Sequence, residues 1–190
     1  SGGDARFLRL DVAEEAQWMA TIGAIIARYG RLDILVNNAG ISGAVPDRMG
    51  TDYFDRLMAI NSRGTFLGVK YAVAEMQKTG GGSIVNLSSI SGFVGQAFVH
   101  MGYNAAKAAI RVLTKSAAVQ YGRDGIRVNS IHPRIMPPML TSITAADPVV
   151  REKALANVPL GRVGTADEAA YAVLFLASDD SRMITGQTLV

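Results

Sequence analysis

Short runs of apolar and β-branched residues alternate along this chain with longer stretches whose apolar positions recur at helical spacing. That alternation constrains the fold more than any single residue. Residues 6–10, 34–37, 83–87, 127–131 and 187–190 read as strands. Residues 14–29, 51–77, 102–121, 148–157 and 166–178 read as helices. Gly30 and Gly122 are placed to stop helices, and Thr165 or Asp167 to start one. Strands separated by whole helices cannot be joined as hairpins, so they are expected to run parallel. The fold class is therefore α/β, a doubly wound parallel sheet with helices on both faces. A chain of 190 residues that is 49% hydrophobic suits one domain with a substantial core.

Composition removes several classes of function. The longest apolar run, 169–177, is too short to span a bilayer. There is no cysteine for a disulfide or a thiolate, and two histidines are too few for a metal cluster. The net charge of +3 is scattered through the helices rather than gathered in a stripe, which argues against nucleic acid. No signal peptide is visible, and a cytoplasmic location is expected.

The chemistry concentrates in the run Tyr103-Asn104-Ala105-Ala106-Lys107, with Ser88-Ser89 a short loop upstream. On a helix, the spacing of i and i+4 puts the phenol and the ammonium on one face. A free tyrosine titrates near ~10, and a lysine beside it is expected to lower that value toward the working range. A serine hydroxyl aimed at the same point can bond a substrate oxygen. Together the three groups read as acid/base machinery for interconverting an alcohol and a ketone. Taken alone, the pair reads equally well as a core aromatic beside a solvated lysine.

Three further runs surround that pair. Leu35-Val36-Asn37-Asn38-Ala39-Gly40 and Ile84-Val85-Asn86-Leu87-Ser88-Ser89 each follow apolar stretches, and Gly125-Ile126-Arg127-Val128-Asn129-Ser130 comes after Lys107. With Asp11-Val12, Asn61, Pro159-Leu160-Gly161-Arg162 and Ile184-Thr185-Gly186-Gln187, these resemble the short-chain dehydrogenase/reductase family over essentially the whole chain. The resemblance implies a Rossmann-type fold and hydride transfer between NAD or NADP, with NAD preferred, and a secondary alcohol or ketone. It implies Tyr103 as the acid/base, Lys107 as its electrostatic partner and a ribose contact, and Ser89 as the donor to the carbonyl oxygen, with Ser91 in reserve. Asn61 would help hold a water that relays protons from Lys107. Asn37, Ala39 and Gly40 would line the adenosine side, Asp11 and Val12 would contact the adenine, and Pro133 would lie against the cofactor. Asn61 also reads as an ordinary helix-kink residue, and Asn37-Asn38 as an ordinary strand-end turn.

Two departures from the family pattern stand out. No glycine-rich phosphate loop is present, and Gly80-Gly81-Gly82 leads into a strand rather than opening a helix. At 132–138 the chain has Arg134 for the family's glycine and proline where a nicotinamide-contacting threonine is expected, leaving Thr141 as a speculative replacement. In the family's strand order the first two strands lie between the third and the fourth. The chain is accordingly expected to be a partial one, lacking the first two strands and the end of the last, and inactive by itself. An apolar, cyclic or hydroxysteroid-like substrate would meet Phe93, Gln96, Phe98, His100, Met136, Met139 and Leu140, the last three on a lid over 133–147. The competing reading is a dehydrogenase-like binding or regulatory protein without turnover. Family members commonly pair through the helices at 51–77 and 102–121, so a homodimer or homotetramer is expected, with Val69, Val73, Leu113 and Ala117 as interface candidates.

Overall fold

The structure is a computed structural model, and it describes residues 3–136, 148–156 and 158–190. Its order is α1 (Glu15–Tyr29), β1 (Ile34–Asn37), α2 (Thr51–Leu57), a π-helical turn (Met58–Arg63), α3 (Gly64–Thr79) and β2 (Gly82–Leu87). Then come α4 (Met101–Tyr121), β3 (Ile126–Ile131), α5 (Pro148–Leu155), α6 (Ala166–Ala177) and β4 (Thr188–Leu189). The four strands form one parallel sheet in the order β1-β2-β3-β4. Leu35 pairs with Ile84, Ile84 with Val128, and Ile131 with Leu189.

Side chains alternate across the sheet with a period of two, which divides the core into two layers. Ile84 and Val128 face Trp18 and Ile22 of α1, Leu67 and Met76 of α3, and Ala117 and Ala118 of α4. Val85 and Ile131 face Leu176 and the small residues of α6 on the other side. α6 starts where expected: Thr165 accepts from the Glu168 N–H while Glu168 reaches back to the Thr165 N–H, closing a capping box. Gly30 stops α1 in the left-handed region, at φ 76°. Gly122 is the residue at which α4 ends, but its φ is −60°, the chain continues as a 3-10 turn, and Gly125 makes the left-handed reversal at φ 76°.

Two expectations fail on packing grounds. Residues 6–10 form no strand, and the Phe7 side chain is 91% exposed. A strand exists only through a partner's ladder, and no described residue pairs with this segment, so its β propensity has nothing to act on. The interface candidates fail too: Val69, Val73 and Ala117 are buried within the chain and Leu113 is half-buried. They lie on the helix faces toward the sheet, whereas Phe66, Val112 and Val119 face outward. No helix among the described residues is long and apolar enough to cross a membrane.

Candidate active site

Tyr103, Ser89, Lys107 and Asn61 meet at the C-terminal ends of the strands, where open parallel sheets leave room for ligands. α4 is opened by His100, whose Nδ1 accepts from the Gly102 N–H at 3.0 Å while its Nε2 lies 3.1 Å from the Gly50 carbonyl. That buried capping role takes His100 out of the substrate wall. One turn along α4, Tyr103 is hydrogen-bonded to Ser89, and the Lys107 Nζ sits 5.7 Å from the centre of the Tyr103 ring. Lys107 is buried and donates to the Leu87 carbonyl at 2.9 Å, the last of β2.

The two serines after β2 face opposite ways. Ser88 Oγ donates to the Lys107 carbonyl at 2.7 Å, tying the strand end to α4. Ser89 Oγ reaches Ser91 Oγ at 3.2 Å and accepts from the Ser91 N–H, and Ser91 Oγ donates to Gln96 Oε1. Tyr103, Ser89, Ser91 and Gln96 thus form one chain of hydrogen bonds, and Ser88 has no place in it.

Charge states differ from the sequence expectation. Burial holds the Tyr103 phenol above its usual range, with the Ser89 hydrogen bond pulling weakly the other way. Burial also lowers Lys107 to about 8. The lysine therefore does not bring the tyrosine below its usual range here: burial dominates, and the ammonium is itself desolvated and bonded to a strand-end carbonyl.

Asn61 sits fully buried in the π-helical turn. Its Oδ1 accepts from the Ile41 N–H at 2.8 Å and its Nδ2 donates to the Ile41 carbonyl at 3.0 Å. Both ends of the amide bond one backbone residue, so the side chain clamps the Gly40–Ile41 corner. Its carbonyl accepts from Thr65 Oγ1 and keeps a second lone pair. A Cβ on Gly40 would stand 3.0 Å from Asn61 Oδ1 and 3.7 Å from Lys107 Nζ, so this corner is the seam between clamp and ammonium.

Val12, Asn37 and Ala39 line a common cavity of about 360 Å³ between α1 and β1. Asp11 lies between two lining residues, but its carboxylate caps the Ala13 N–H at 3.0 Å, at the entry to α1. Asn37 lines the cavity with its backbone side; its Nδ2 donates to Asn86 Oδ1, and Asn86 donates on to Thr114. Pro133 accepts from the Ile90 N–H at 3.1 Å, against the serine loop. Gly80, Gly81 and Gly82 lie in a separate hollow of about 600 Å³ at the opposite, N-terminal ends of the strands. Met139, Leu140, Thr141 and most of the expected lid lie outside the described residues.

His132 was not singled out in the sequence. It is buried, with Nδ1 3.0 Å from the Ser89 carbonyl, Nε2 2.8 Å from Ser130 Oγ, and its ring edge-on to Phe93 at 4.8 Å. Burial keeps its pKa below the usual histidine range, so it is neutral at neutral pH.

Gly43 explains how Tyr103 comes so close to the loop after β1. A Cβ there would lie 2.4 Å from the Tyr103 Cβ and 2.7 Å from its Cγ. These atoms are the base of the side chain, which cannot swing aside without moving α4. Gly43→Ala is expected to cost on the order of 100-fold in kcat/KM and about 1–3 kcal/mol of stability. Gly23→Ala on α1, where a Cβ meets nothing within 4 Å, is the control and should leave activity unchanged. Equal kinetics for the two variants would refute the steric account.

A family model described as enoyl-(acyl carrier protein) reductase matches residues 1–190. The 3-alpha-(or 20-beta)-hydroxysteroid dehydrogenase of Mycobacterium tuberculosis is 40% identical over 188 residues, covering 98% of this chain and 69% of that protein. Cyclopentanol dehydrogenase of Comamonas testosteroni is 40% identical over 190 residues, covering 100% of this chain and 76% of that protein. A solved gluconate 5-dehydrogenase from Burkholderia cenocepacia, in complex with NADP and tartrate, superposes with a TM-score of 0.88 at 36% identity. That match covers 95% of this chain and 71% of the other.

Proposed function

The chain belongs to the short-chain dehydrogenase/reductase family, NAD(P)-linked oxidoreductases of secondary alcohols and ketones, and we propose that Tyr103, Ser89 and Lys107 carry its chemistry. The observation that carries this reading is the Tyr103 hydroxyl hydrogen-bonded to Ser89, with the buried Lys107 ammonium 5.7 Å from the same ring. The nicotinamide, when bound, supplies or receives the hydride. The chain's part is the proton. In ketone reduction Tyr103, kept protonated by burial, gives its hydrogen to the carbonyl oxygen while Ser89 donates to the same oxygen. Lys107 faces the phenolate that results, and its positive charge stabilises it.

The residues present fit the cofactor at two of its three parts. The apolar cavity beside Val12 and Ala39 suits the adenosine, and Tyr103 with Lys107 suits the nicotinamide ribose. Among the described residues no glycine-rich turn faces the pyrophosphate. Asn61 is proposed to hold a relaying water through its main-chain carbonyl, and to act through its clamp on Ile41. NAD is the proposed preference.

The exposed rings of Phe93 and Phe98 beside Gln96 support an apolar, cyclic secondary alcohol, in keeping with the steroid and cyclopentanol named for two relatives. The test is a panel of cyclic and open-chain secondary alcohols assayed with NAD and with NADP, each with parent enzyme and Ser89→Ala. Turnover of a cyclic alcohol with NAD, lost in the variant, is expected. Cofactor and alcohol binding without turnover would favour the binding-protein reading instead.

Assembly into a symmetric dimer is also proposed, through the outward faces of α3 and α4. Phe66 is exposed on α3, and Val112 and Val119 stand seven residues apart on one face of α4. Light scattering is expected to give a dimer or tetramer that Val119→Asp dissociates. A monomer at high concentration would end the proposal.

A further inference from the structure

Beyond the last pair of the β2–β3 ladder, Leu87 with Ile131, the register sets Ser88 against His132 and Ser89 against Pro133. Proline has no N–H, so the ladder's next bond, from residue 133 to the Ser88 carbonyl, is missing. The flanking bonds remain: the Ser88 N–H donates to the Ile131 carbonyl at 2.9 Å, and the Ile90 N–H to the Pro133 carbonyl at 3.1 Å. Between them, the Ser89 carbonyl accepts from the Gly92 N–H at 2.9 Å, inside the short turn Ile90–Gly92. That bond lies within the turn and does not tie the Ser89 carbonyl to β3. The tie comes from His132, whose Nδ1 lies 3.0 Å from the same carbonyl.

The tautomer follows from the partners. A carbonyl only accepts, so Nδ1 carries the proton and donates, and Nε2 accepts from the Ser130 hydroxyl at 2.8 Å. Ser130 belongs to β3, and Phe93 closes the ring's other side at 4.8 Å. The imidazole is therefore held rigidly between the sheet and the serine turn.

We infer that His132 is a positioning residue: by locking the Ser89 carbonyl to β3 it fixes the reach of Ser89 Oγ toward Tyr103 and the substrate oxygen. This rests on the proposed role of Ser89, and the experiment separates the two. His132→Leu removes the donor. His132→Gln carries its amide out to the Ser130 side and also leaves Ser89 unbonded, guarding against a misfolded leucine variant. His132→Asn places an amide N–H where Nδ1 stands.

Leucine and glutamine variants are expected to lose about 10- to 100-fold in kcat with the cofactor KM unchanged, and the asparagine variant to recover most of it. In a Ser89→Ala background His132→Leu should cost less than about twofold more, because the group it positions is gone. Unchanged kcat in both the leucine and glutamine variants, an asparagine variant as poor as they are, or an undiminished loss in the Ser89→Ala background would each overturn the inference. If Ser89→Ala alone left kcat intact, the site reading itself would fall, and this inference with it.

Discussion

Tyr103→Phe is expected to lower kcat by about 10²- to 10⁴-fold, the range for a positioned acid/base, while cofactor affinity stays near that of the parent. Phenylalanine keeps the ring packed against Gly43 and under the Lys107 ammonium. It removes only the oxygen bonded to Ser89. Because burial raises the phenol's pKa, the hydroxyl stays protonated through neutral pH. Ketone reduction should therefore be supported at neutral pH and fall as the phenol ionises, and alcohol oxidation should climb over the same alkaline range. Stopped-flow turnover and cofactor fluorescence titration across pH test both statements. A variant that retained most of its turnover, or lost it in proportion to cofactor affinity, would mean that Tyr103 packs rather than reacts.

Lys107→Met is expected to lower both turnover and cofactor affinity, and to raise the stability of the unliganded protein. The lysine's folded value of about 8 lies below a free lysine's 10.5. Between those values the unfolded chain binds the proton and the folded chain does not, so the parent gains stability as pH rises through that window. Below about 8 both states are protonated and the full cost of the buried charge remains, roughly 3 kcal/mol at 1.36 kcal/mol per unit. Methionine fills similar space without charge, at the loss of the bond to Leu87. Its denaturation midpoint should exceed the parent's at pH 7, with the difference shrinking toward pH 10. Tyr103, shifted upward, begins to take stability away only above the free tyrosine's 10.0, so the range from pH 8 to 10 reports the lysine. A parent whose stability is flat from pH 8 to 10 would show that the ammonium is better solvated than its burial indicates.

The sequence made most of the sheet legible because strand and helix periods are local properties. Residues 34–37 were read to the residue, and the others to within one or two. The failures share one cause: periodicity says that a face is apolar, not what it meets. Residues 6–10 have the composition of a strand but no ladder to join. Val69, Val73 and Ala117 have helical spacing, yet only the fold assigns that face to the sheet. At the site, the Tyr103–Lys107 spacing and the paired serines were visible; only the resemblance preferred Ser89 to Ser88, and the Ser88 hydroxyl is found on the Lys107 carbonyl. The direction of the Tyr103 shift was misread because spacing conveys proximity but not desolvation. A lone histidine carries no signal until the fold brings its ring to the Ser89 carbonyl. The clue available was Pro133 directly after it, at a strand end that would otherwise need its N–H.

The π-helical turn at Met58–Arg63 has an evolutionary implication. A π turn is an α-helix carrying one residue too many, accommodated at a modest cost. Deleting a single codon there, at Ser62 for example, would let α2 and α3 fuse into one regular helix with its hydrogen bonds complete. The same deletion would turn the two segments relative to each other by about 100°, and the Asn61 amide and the Trp18-facing side of α3 could no longer both keep their partners. A lineage could thus shed the clamp on Gly40 and Ile41 in one genetic step while keeping a foldable helix. The extra residue makes the clamp and the packing of α3 compatible, at the expense of a regular helix.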